Sequence, residues 1–496
     1  MTIRLITLAA NNTVPILERM KAIAGDELDV VFQMGSAGAD IKASSISKMS
    51  AQSGRRGHIM QNAFFTGAKH DVVFRPDFHE GLEEFIDHLQ RRAPAYRYTS
   101  HNIQNMQDYI DYYNVLLEAA CAKILETGAT HMLFFNIPHM GYDTVFYHAG
   151  RALGLKSVLM TQSLFPNKFV STTAPEHFGE FSLEMMDAEP FNIESPEQLD
   201  LFYMKGISQE QDKSGRITAR TLWSLFLFLL NKAPGRALNP IYLYRTLKRM
   251  QIIYGKFPKW RDPFARFFHE NNLAYFEHLA EYENHEVDLS QRFVYFPLQL
   301  QPEMTTSALG GVFKDQALAI EELARILPAD VKIYVKENPK QLGFMRGPLF
   351  FHRLNRIPNV EIMPSHANTH ALSDSAEFVA TITGTVGWEA ICKGKPALVF
   401  GNAWYKTFPG VVRYREDLVY EDIIGTRPEH AKLEAAVGAF LARCHDGVVL
   451  RHYRSLLPDY DVDRNADMVA RTALALLRGE VEVTFPGREE TSCAPR

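Results

Sequence analysis

Short apolar runs alternate with longer amphipathic segments in two separate parts of the chain. The first series comprises IRLITLA, DVVFQM, DVVFRP, HMLFFNI and KSVLMTQ, and the second comprises RFVYFPLQ, VKIYVKENP, NVEIMP, EFVATI and PALVFG. Apolar runs of this length, bounded by turn residues, are typical of buried strands, and the segments between them suit crossover helices. The pattern therefore predicts an α/β fold with two Rossmann-like domains, each built on a parallel sheet.

The stretch between the two series loses this alternation and becomes helical, basic and aromatic. We predict an N-terminal α/β domain over 1–171, a helical connecting region over 172–290, a C-terminal α/β domain over 291–460, and a final helix and tail over 461–496. Because a chain of 496 residues is too long for a single core, we expect the two α/β domains to face each other across a cleft. The final helix is expected to pack back across that cleft.

The composition narrows the class of protein. The formal net charge of −5 argues against a nucleic-acid binder, and the 4 cysteines, which form no CxxC pair, argue against a disulfide framework or a zinc site. The start, MTIRLITLAANNTVPILERM, lacks the cleavage site of a secretory signal peptide, and the longest apolar run, LWSLFLFLL, is too short to span a membrane. We therefore predict a cytoplasmic location.

Glycine and hydroxyl residues follow the predicted strand EFVATI in the stretch TITGTVGWEA. Thr383, Gly384, Thr385 and Gly387 stand where the carboxyl end of a strand meets the amino terminus of a helix, which is the usual ligand-binding edge of an open α/β sheet. Free N–H groups and the helix dipole bind anions at such a place, and Glu389, one helical turn further on, is placed to accept hydrogen bonds from ribose hydroxyls. The alternative is a turn that only closes a βαβ unit.

Two further strands of the second series also end in polar side chains. VKIYVKENP ends with Lys336, Glu337 and Asn338, and YFPLQLQPE ends with Gln301 and Glu303. A lysine held beside a proline and backbone amides suits a phosphate group. Three such strand ends on one edge predict a nucleotide site with Gln301 and Glu303 at its rim, and solvated strand ends are the alternative.

Other patterns mimic metal or cofactor sites without completing them. Asp459, Asp461 and Asp463 have DxD spacing in PDYDVDRNAD, but a basic helical pattern precedes them, so a turn and helix cap is predicted. His366 and His370 are four residues apart, yet no carboxylate nearby completes a metal site. QMGSAGAD lacks the full dinucleotide fingerprint. We predict neither a metal nor a cofactor.

The strand ends of the second series carry a resemblance to a known family. FPLQLQPE, YVKENP and TITGTVGWEAICKGKPALVFG resemble the C-terminal half of the capsular polysaccharide biosynthesis proteins, which include the retaining β-Kdo transferases of bacterial surface glycans. The resemblance implies a glycosyltransferase-B fold and a retaining, metal-independent sugar transfer. It also implies a nucleotide-sugar donor, with CMP-linked Kdo favoured, held by the C-terminal domain, and a glycan or lipid-linked glycan acceptor held by the N-terminal domain.

Asn338 departs from the pattern of this family. Members usually carry histidine at the matching position, and that histidine is expected to contact the donor phosphate. Asparagine can donate a hydrogen bond there but cannot carry charge. Two alternatives therefore stay open, namely a nucleotide-sugar 2-epimerase of the same fold and a non-catalytic subunit of a glycan assembly or export complex.

A retaining transferase needs a catalytic carboxylate, which we expect from the N-terminal domain. His139 and Asp143 follow the strand HMLFFNI on the edge expected to face the donor. We predict Asp143 as the carboxylate, His139 as the acceptor contact or base, and Glu303 as the fallback carboxylate. The structural alternative is that Asp143 only caps the helix that follows it. The stretch TQSLFPN (161–167) is a second candidate for the acceptor side.

Residues 222–267 combine apolar and aromatic side chains with 9 basic residues against a single aspartate. Basic, aromatic-rich amphipathic segments suit an anionic membrane surface, and a lipid-linked acceptor would make such contact useful. We predict peripheral contact with the inner face of the cytoplasmic membrane. The alternative is a buried helix with a solvated basic face.

Overall fold

The chain forms two compact units, each built around one β-sheet. The first contains Met1–Phe191, Pro302–Gly311 and Glu434–Arg496, and the second contains Asn192–Gln301 and Val312–Leu433. The predicted fold class, with two α/β units, is thereby confirmed. The structure is a computed structural model, and it describes residues 2–35, 41–42, 65–92, 105–182, 188–193, 285–338, 341, 346–364 and 367–487, with scattered positions between 223 and 282.

The first unit is built on a sheet of 7 strands. These are β1 (Ile3–Ala9), β2 (Leu28–Gly35), β3 (Ile41–Lys42), β4 (His131–Phe134), β5 (Lys156–Gln162), β6 (Lys168–Thr172) and β13 (His445–Asp446), in the order β13-β6-β5-β4-β1-β2-β3. Strands β1 to β5 run parallel, whereas β6 and β13 pair antiparallel at one edge. The carboxyl ends of β4 and β5 therefore lie side by side.

The last helix of the chain packs on the first. The described helices of this unit are α1 (Val14–Ala24), α2 (His70–Val73), α3 (Pro76–Arg92), α4 (Met106–Thr127), α5 (Tyr142–Ala152), most of α11 (His430–Arg443), and α12 (Val462–Arg478). Ala466, Val469 and Ala473 of α12 recur at helical spacing and bury one face in the cluster that contains Leu17 and Met20 of α1. The final helix is thus part of the core of the first unit.

The predicted strand DVVFRP is wrong. Residues His70–Val73 form the short helix α2, and Pro76 begins helix α3. Of the apolar residues in this run, Val72 is buried but Phe74 is exposed, so the run does not supply the continuous buried side that a strand requires. Proline is well suited to the first turn of a helix, and here it marks a helix start, not the end of a strand.

The second unit is built on a wholly parallel sheet of 6 strands. These are β7 (Phe293–Pro297), β8 (Lys332–Lys336), β9 (Val360–Met363), β10 (Val379–Thr381), β11 (Ala397–Val399) and β12 (Val411–Arg413), in the order β12-β11-β10-β7-β8-β9. The described helices are α6 (Gln316–Ile326), α7 (Pro348–Asn355), α8 (Thr369–Ser375), α9 (Thr385–Cys392) and α10 (Tyr420–Gly425). Alternate residues of β7 enter different core clusters, as expected for a parallel sheet covered on both faces.

The chain passes between the units several times, so the units do not coincide with continuous stretches of sequence. The helical turn Met304–Ala308 packs against α3, and Glu434 O accepts a hydrogen bond of 3.0 Å from Phe191 N. Both segments therefore lie in the first unit, whereas the sequence analysis placed 302–311 and 434–460 in the C-terminal domain. Neither segment has a pattern that separates it from the neighbouring strands of the second unit.

The predicted helical region 172–290 is described only in part. Positions between 223 and 244 and between 279 and 282 are mostly helical where they are described, and the rest of the stretch 194–284 lies outside the described residues. In the part of the chain that the structure describes, no helix has both the length and the apolar character needed to cross a bilayer.

Candidate functional site

Three neighbouring strands of the second unit bring the predicted nucleotide-binding residues to one edge. Strand β7 lies between β10 and β8, and all three run parallel, so their carboxyl ends meet at the same side of the sheet. Lys336 is the last residue of β8, Thr383 lies two residues beyond β10, and Gln299 lies two residues beyond β7. The arrangement of strand ends that the sequence predicted is present.

Lys336 is held in a polar cluster at this edge. It is only 8% exposed, and its Nζ donates a 3.1 Å hydrogen bond to Thr369 Oγ1 in the first turn of α8. Tyr295, on β7 two residues before the partner of Lys336 in the sheet, shares Thr369 as a hydrogen-bond partner. Burial raises the pKa of Tyr295, and the negative charge of Glu389 raises it further. Lys336 and Glu389, which are far apart in sequence, therefore lie around the same tyrosine.

The turn between β10 and α9 is fixed from three sides. Thr383 N donates to Gln299 Oε1 at 3.0 Å, and Gly384 N donates to Thr381 Oγ1 at 3.1 Å. The hydroxyl of Tyr405 donates to Gly384 O, and a Cβ at Gly387 would lie only 2.3 Å from that hydroxyl. Glycine is thus required at 387 because the tyrosine packs directly on the helix backbone. Helix α9 then begins at Thr385, with no side-chain cap at Gly384.

Two of the predicted binding residues instead make internal contacts. Glu337 is 3% exposed and forms an ion pair with Arg346, which is fully buried. Gln301 is buried, exchanges hydrogen bonds of 2.8 Å with Gln341, and donates a 2.6 Å hydrogen bond to Lys314 O. These contacts favour a supporting role for Glu337 and Gln301 over direct contact with a ligand.

Asp143 orders the loop that precedes α5 in the first unit. Its carboxylate is 2% exposed and accepts backbone hydrogen bonds from His139 at 3.0 Å, Met140 at 2.6 Å and Thr144 at 2.9 Å. A carboxylate that accepts three backbone N–H groups of its own loop is turned inward. The geometry therefore favours the alternative in which Asp143 stabilises the helix start, and the catalytic assignment stays a prediction.

His139 and Glu303 are more accessible than Asp143. Both are partly exposed, and His139 Nδ1 lies 2.7 Å from Ile137 O, so Nδ1 carries a proton and the neutral ring keeps Nε2 as an acceptor. The His139 ring meets the ring of His88 on α3 edge-on. Glu303 is the N-cap residue of the turn Met304–Ala308, which packs against the same helix. Helix α3 therefore contacts the surroundings of both candidates.

The stretch 161–167 contains the last two residues of β5 and the tight connection from β5 to β6. Ser163 N donates to Lys168 O at 3.1 Å, and Asn167 adopts a left-handed conformation with φ of 54°. Gln162 Oε1 accepts from Val449 N at 2.9 Å. These contacts anchor the C-terminal segment, and its suggested role on the acceptor side stays a prediction.

The discounted DxD pattern has the structural role that the sequence analysis gave it. Asp461 is the N-cap of α12 and accepts a hydrogen bond of 2.7 Å from Arg464 N. His370 lies in the first turn of α8, and His366 lies outside the described residues.

One group of described residues has the spacing of a metal site, namely Asp77, Glu80 and His148. Burial alone would lower the pKa of His148, but hydrogen bonds and charges from Asp77 and Glu84 raise it to about 9. Arg151 Nε also lies 3.0 Å from Asp77 Oδ1. A protonated imidazole offers no lone pair to a metal, so Asp77 and His148, together with Glu84 and Arg151, are better described as an ion cluster.

This cluster predicts a pH-dependent stability of the first unit. Because the pKa of His148 is about 9 in the folded chain and 6.5 ordinarily, its contribution is complete below pH 6.5 and is lost as the pH rises through 9. We expect the free energy of unfolding to fall by up to ~3 kcal/mol across this window. Urea denaturation between pH 6 and pH 10 measures it. His148→Gln should remove most of this decline, and an equal decline in both proteins would contradict the assignment.

Three residues that contact the strand ends of this edge escaped the sequence analysis: Gln299, Arg346 and Tyr405. Gln299 stands two residues before Gln301 in the same run, so the strand-end rule could have identified it. Arg346 and Tyr405 carried no signal, because neither follows a strand directly and a buried arginine is rare.

Two α/β units, one of which has a polar edge on a wholly parallel sheet, define an open-sheet α/β fold, in which strand ends are the usual place for ligands. Comparison with known proteins gives a similarity to one family over part of the chain. The sequence model of the capsule polysaccharide biosynthesis protein family matches residues 268–436, which contain strands β7 to β12. This match confirms the resemblance found in the sequence. No curated protein matches the chain significantly.

Solved structures give remote likenesses. The β-Kdo 2,7-transferase of Thermosulfurimonas dismutans KpsC is 11% identical, with a TM-score of 0.32 over 81% of this chain and 97% of that chain. The β-Kdo 2,4-transferase of the same protein is 12% identical, with a TM-score of 0.26 over 64% of this chain and 82% of that chain. The UDP-GlcNAc 2-epimerase of Methanocaldococcus jannaschii is 11% identical, with a TM-score of 0.21 over 96% and 99%.

Proposed function

We propose that the protein is a glycosyltransferase of capsule or surface polysaccharide biosynthesis that takes its sugar from a nucleotide donor. The observation that carries the proposal is the edge formed by Lys336 and the turn Thr383–Gly384, within the segment that matches the capsule polysaccharide biosynthesis family. A buried lysine and the amino terminus of an eight-residue helix at the same edge of one sheet suit the diphosphate or phosphate of such a donor.

We assign each residue of this edge a separate contact with the donor. Lys336 supplies the positive charge that offsets the donor phosphate, so the proposal requires no metal ion. Thr383, Gly384 and Thr385 offer N–H and hydroxyl groups at the start of α9. Glu389, which lies near Tyr295, accepts hydrogen bonds from the ribose. A CMP-linked sugar such as CMP-Kdo is the donor we favour, because the family resemblance includes β-Kdo transferases, and Asn338 contributes an uncharged hydrogen bond.

The transfer itself is assigned to residues of the first unit. In a retaining double displacement, a carboxylate attacks the anomeric carbon and releases the nucleotide, and the acceptor hydroxyl then displaces the carboxylate. We propose Glu303 as that carboxylate, because it is partly exposed while Asp143 is committed to three backbone N–H groups. His139 Nε2, an acceptor in the neutral ring, takes the proton of the acceptor hydroxyl.

The first experiment identifies the nucleotide. A thermal-shift screen with CMP, CDP, UDP and GDP should raise the melting temperature with one of them, since a ligand that binds only the native state stabilises it. We expect CMP to give the largest increase in melting temperature. No shift with any of the four nucleotides would count against a nucleotide-sugar enzyme of this kind.

Lys336→Ala is expected to weaken nucleotide binding by about 1.5–3 kcal/mol, because a charge-assisted hydrogen bond to phosphate is lost. Isothermal titration measures the loss. Lys332→Ala is the matched control, since Lys332 begins the same strand and pairs with Glu361 at its far end. Unchanged affinity in Lys336→Ala, or equal losses in both variants, would rule out the phosphate assignment.

The alternative functions predict different products. Interconversion of a free nucleotide sugar without acceptor would favour a nucleotide-sugar 2-epimerase. Nucleotide binding without any turnover would favour a non-catalytic subunit of a glycan assembly or export complex, in line with Asn338. Slow donor hydrolysis in the absence of acceptor favours the transferase.

Contact with the inner face of the cytoplasmic membrane forms part of the proposal. Trp223, Leu227 and Leu230 have exposed fractions of 61%, 46% and 37%, and their spacing places them on one helical face. The surrounding stretch 222–267 is strongly basic in sequence. The unaltered protein should sediment with anionic vesicles. The double variant Trp223→Asp/Leu227→Asp should stay in the supernatant. Equal recovery of both proteins in the supernatant would exclude this surface.

A further inference from the structure

The second unit buries a charged pair directly beneath the nucleotide edge. Arg346 is 0% exposed and Glu337 is 3% exposed. The Arg346 guanidinium donates through Nη1 to Glu337 Oε1 and through Nη2 to the backbone oxygen of Gln299. Burying such a pair costs desolvation free energy that the attraction often only offsets, so stability alone is a weak reason for it.

The contacts of this pair extend to two of the three strand ends that form the edge. Glu337 Oε1 also accepts a 2.6 Å hydrogen bond from Asn338 N, so it fixes the loop after β8. Gln299 Oε1 accepts a 3.0 Å hydrogen bond from Thr383 N, so it fixes the loop after β10. Arg346 thus holds Glu337, which belongs to the lysine loop, and Gln299, which follows β7 and whose side chain holds the glycine turn.

We propose that Arg346 is a positioning residue for the donor phosphate. By holding Glu337 and Gln299 together, the guanidinium sets the spacing between Lys336 and the turn that starts at Thr383. The planar fork of arginine presents N–H groups at fixed angles, whereas the ammonium group of lysine does not fix two acceptors in this way. The inference rests on the proposed function, since it names the residue that shapes the proposed phosphate site.

The test separates positioning from stability. Arg346→Met leaves Glu337 buried and uncompensated, and we expect this variant to be strongly destabilised. The double variant Glu337→Met/Arg346→Met removes both charges and should recover most of the urea midpoint of the unaltered protein. The double variant should still bind nucleotide at least about tenfold more weakly, because the guanidinium that links the lysine loop to Gln299 is then missing.

A second variant keeps the test decisive if the double variant does not fold. Gln299→Met acts at a partly exposed position and removes the side-chain contacts with Thr383, namely the acceptor of its N–H and the 3.5 Å contact of Gln299 Nε2 with its hydroxyl. It should also weaken nucleotide binding about tenfold and raise the donor KM more than it lowers kcat. Arg353→Met is the control, because Arg353 forms ion pairs with Asp315 and Glu321 elsewhere in the unit. Its nucleotide affinity should match that of the unaltered protein.

The probe is whichever of CMP, CDP, UDP and GDP binds the unaltered protein most tightly. Weaker binding in the folded double variant and in Gln299→Met, with unchanged binding in Arg353→Met, supports the inference. Normal affinity in either the folded double variant or Gln299→Met overturns it and leaves the proposed function standing. If none of the four nucleotides binds the unaltered protein, the proposed function fails and the inference fails with it.

Discussion

Glu303→Gln is expected to lower the rate of sugar transfer by about 10³-fold or more while nucleotide affinity stays nearly constant. Glutamine keeps the shape of the side chain but cannot attack the anomeric carbon or stabilise its positive charge. Nucleotide affinity is spared because the proposed phosphate contacts belong to the second unit, whereas Glu303 belongs to the first. Radiolabelled sugar transfer and isothermal titration, run on the same preparation, measure the two quantities.

The matched control is Glu126→Gln, which removes an exposed carboxylate at the end of α4 in the same unit. This control should transfer sugar at the normal rate. Full activity in Glu303→Gln would remove Glu303 from the mechanism. A loss of nucleotide affinity as large as the loss of rate would instead indicate a binding role.

Asp143→Asn should lower the stability of the protein more than its transfer activity. Asparagine offers one carbonyl oxygen where the carboxylate offers two, and its amide nitrogen would face a backbone N–H of the loop 139–144. We expect the free energy of unfolding to fall by about 2–4 kcal/mol, since buried donors lose their partner. Transfer activity per folded molecule should remain close to normal. Denaturation curves and activity corrected for the folded fraction measure both effects.

Asp143→Asn also decides between the two carboxylates. If the variant folds as well as the unaltered protein and transfers no sugar, Asp143 is the catalytic carboxylate and Glu303 is not. If it loses stability and keeps its specific activity, the helix-start role is correct. Asp111→Asn, on the surface of α4, provides the control for a neutralised aspartate outside this loop.

The sheets were predictable because strand signals are local. Each apolar run of the second series became a strand, and the rule that parallel strands end on one side brought Lys336 and Thr383 to the same edge. The assignment of apolar runs to strands failed at DVVFRP, where Pro76 begins a helix and Phe74 is exposed. A triplet of apolar residues fits either structure, and tertiary packing decided the outcome.

The supporting residues were not predictable for a different reason. Arg346 lies nine residues beyond Glu337 in a stretch without apolar periodicity, so only the folded chain reveals that the two form a buried pair. Tyr405 is likewise distant in sequence from Gly387, although its hydroxyl sets the size limit there. Asp143 was identified from its position after a strand, but the number of N–H groups it accepts is a property of the loop backbone.

The first unit takes its core from both ends of the chain, and this fixes the order in which the protein can mature during synthesis. Helix α1 finds its apolar cover in α12, and Phe485 N donates to Ser171 O in the segment that follows α12. When residues 1–191 have emerged from the ribosome, the apolar face of α1 is therefore still uncovered. The second unit, in contrast, has all strands of its sheet once β12 has emerged. Until α12 has been synthesised, the nascent N-terminal part is the one that needs protection from aggregation, and a premature stop between β12 and α12 would leave that face open.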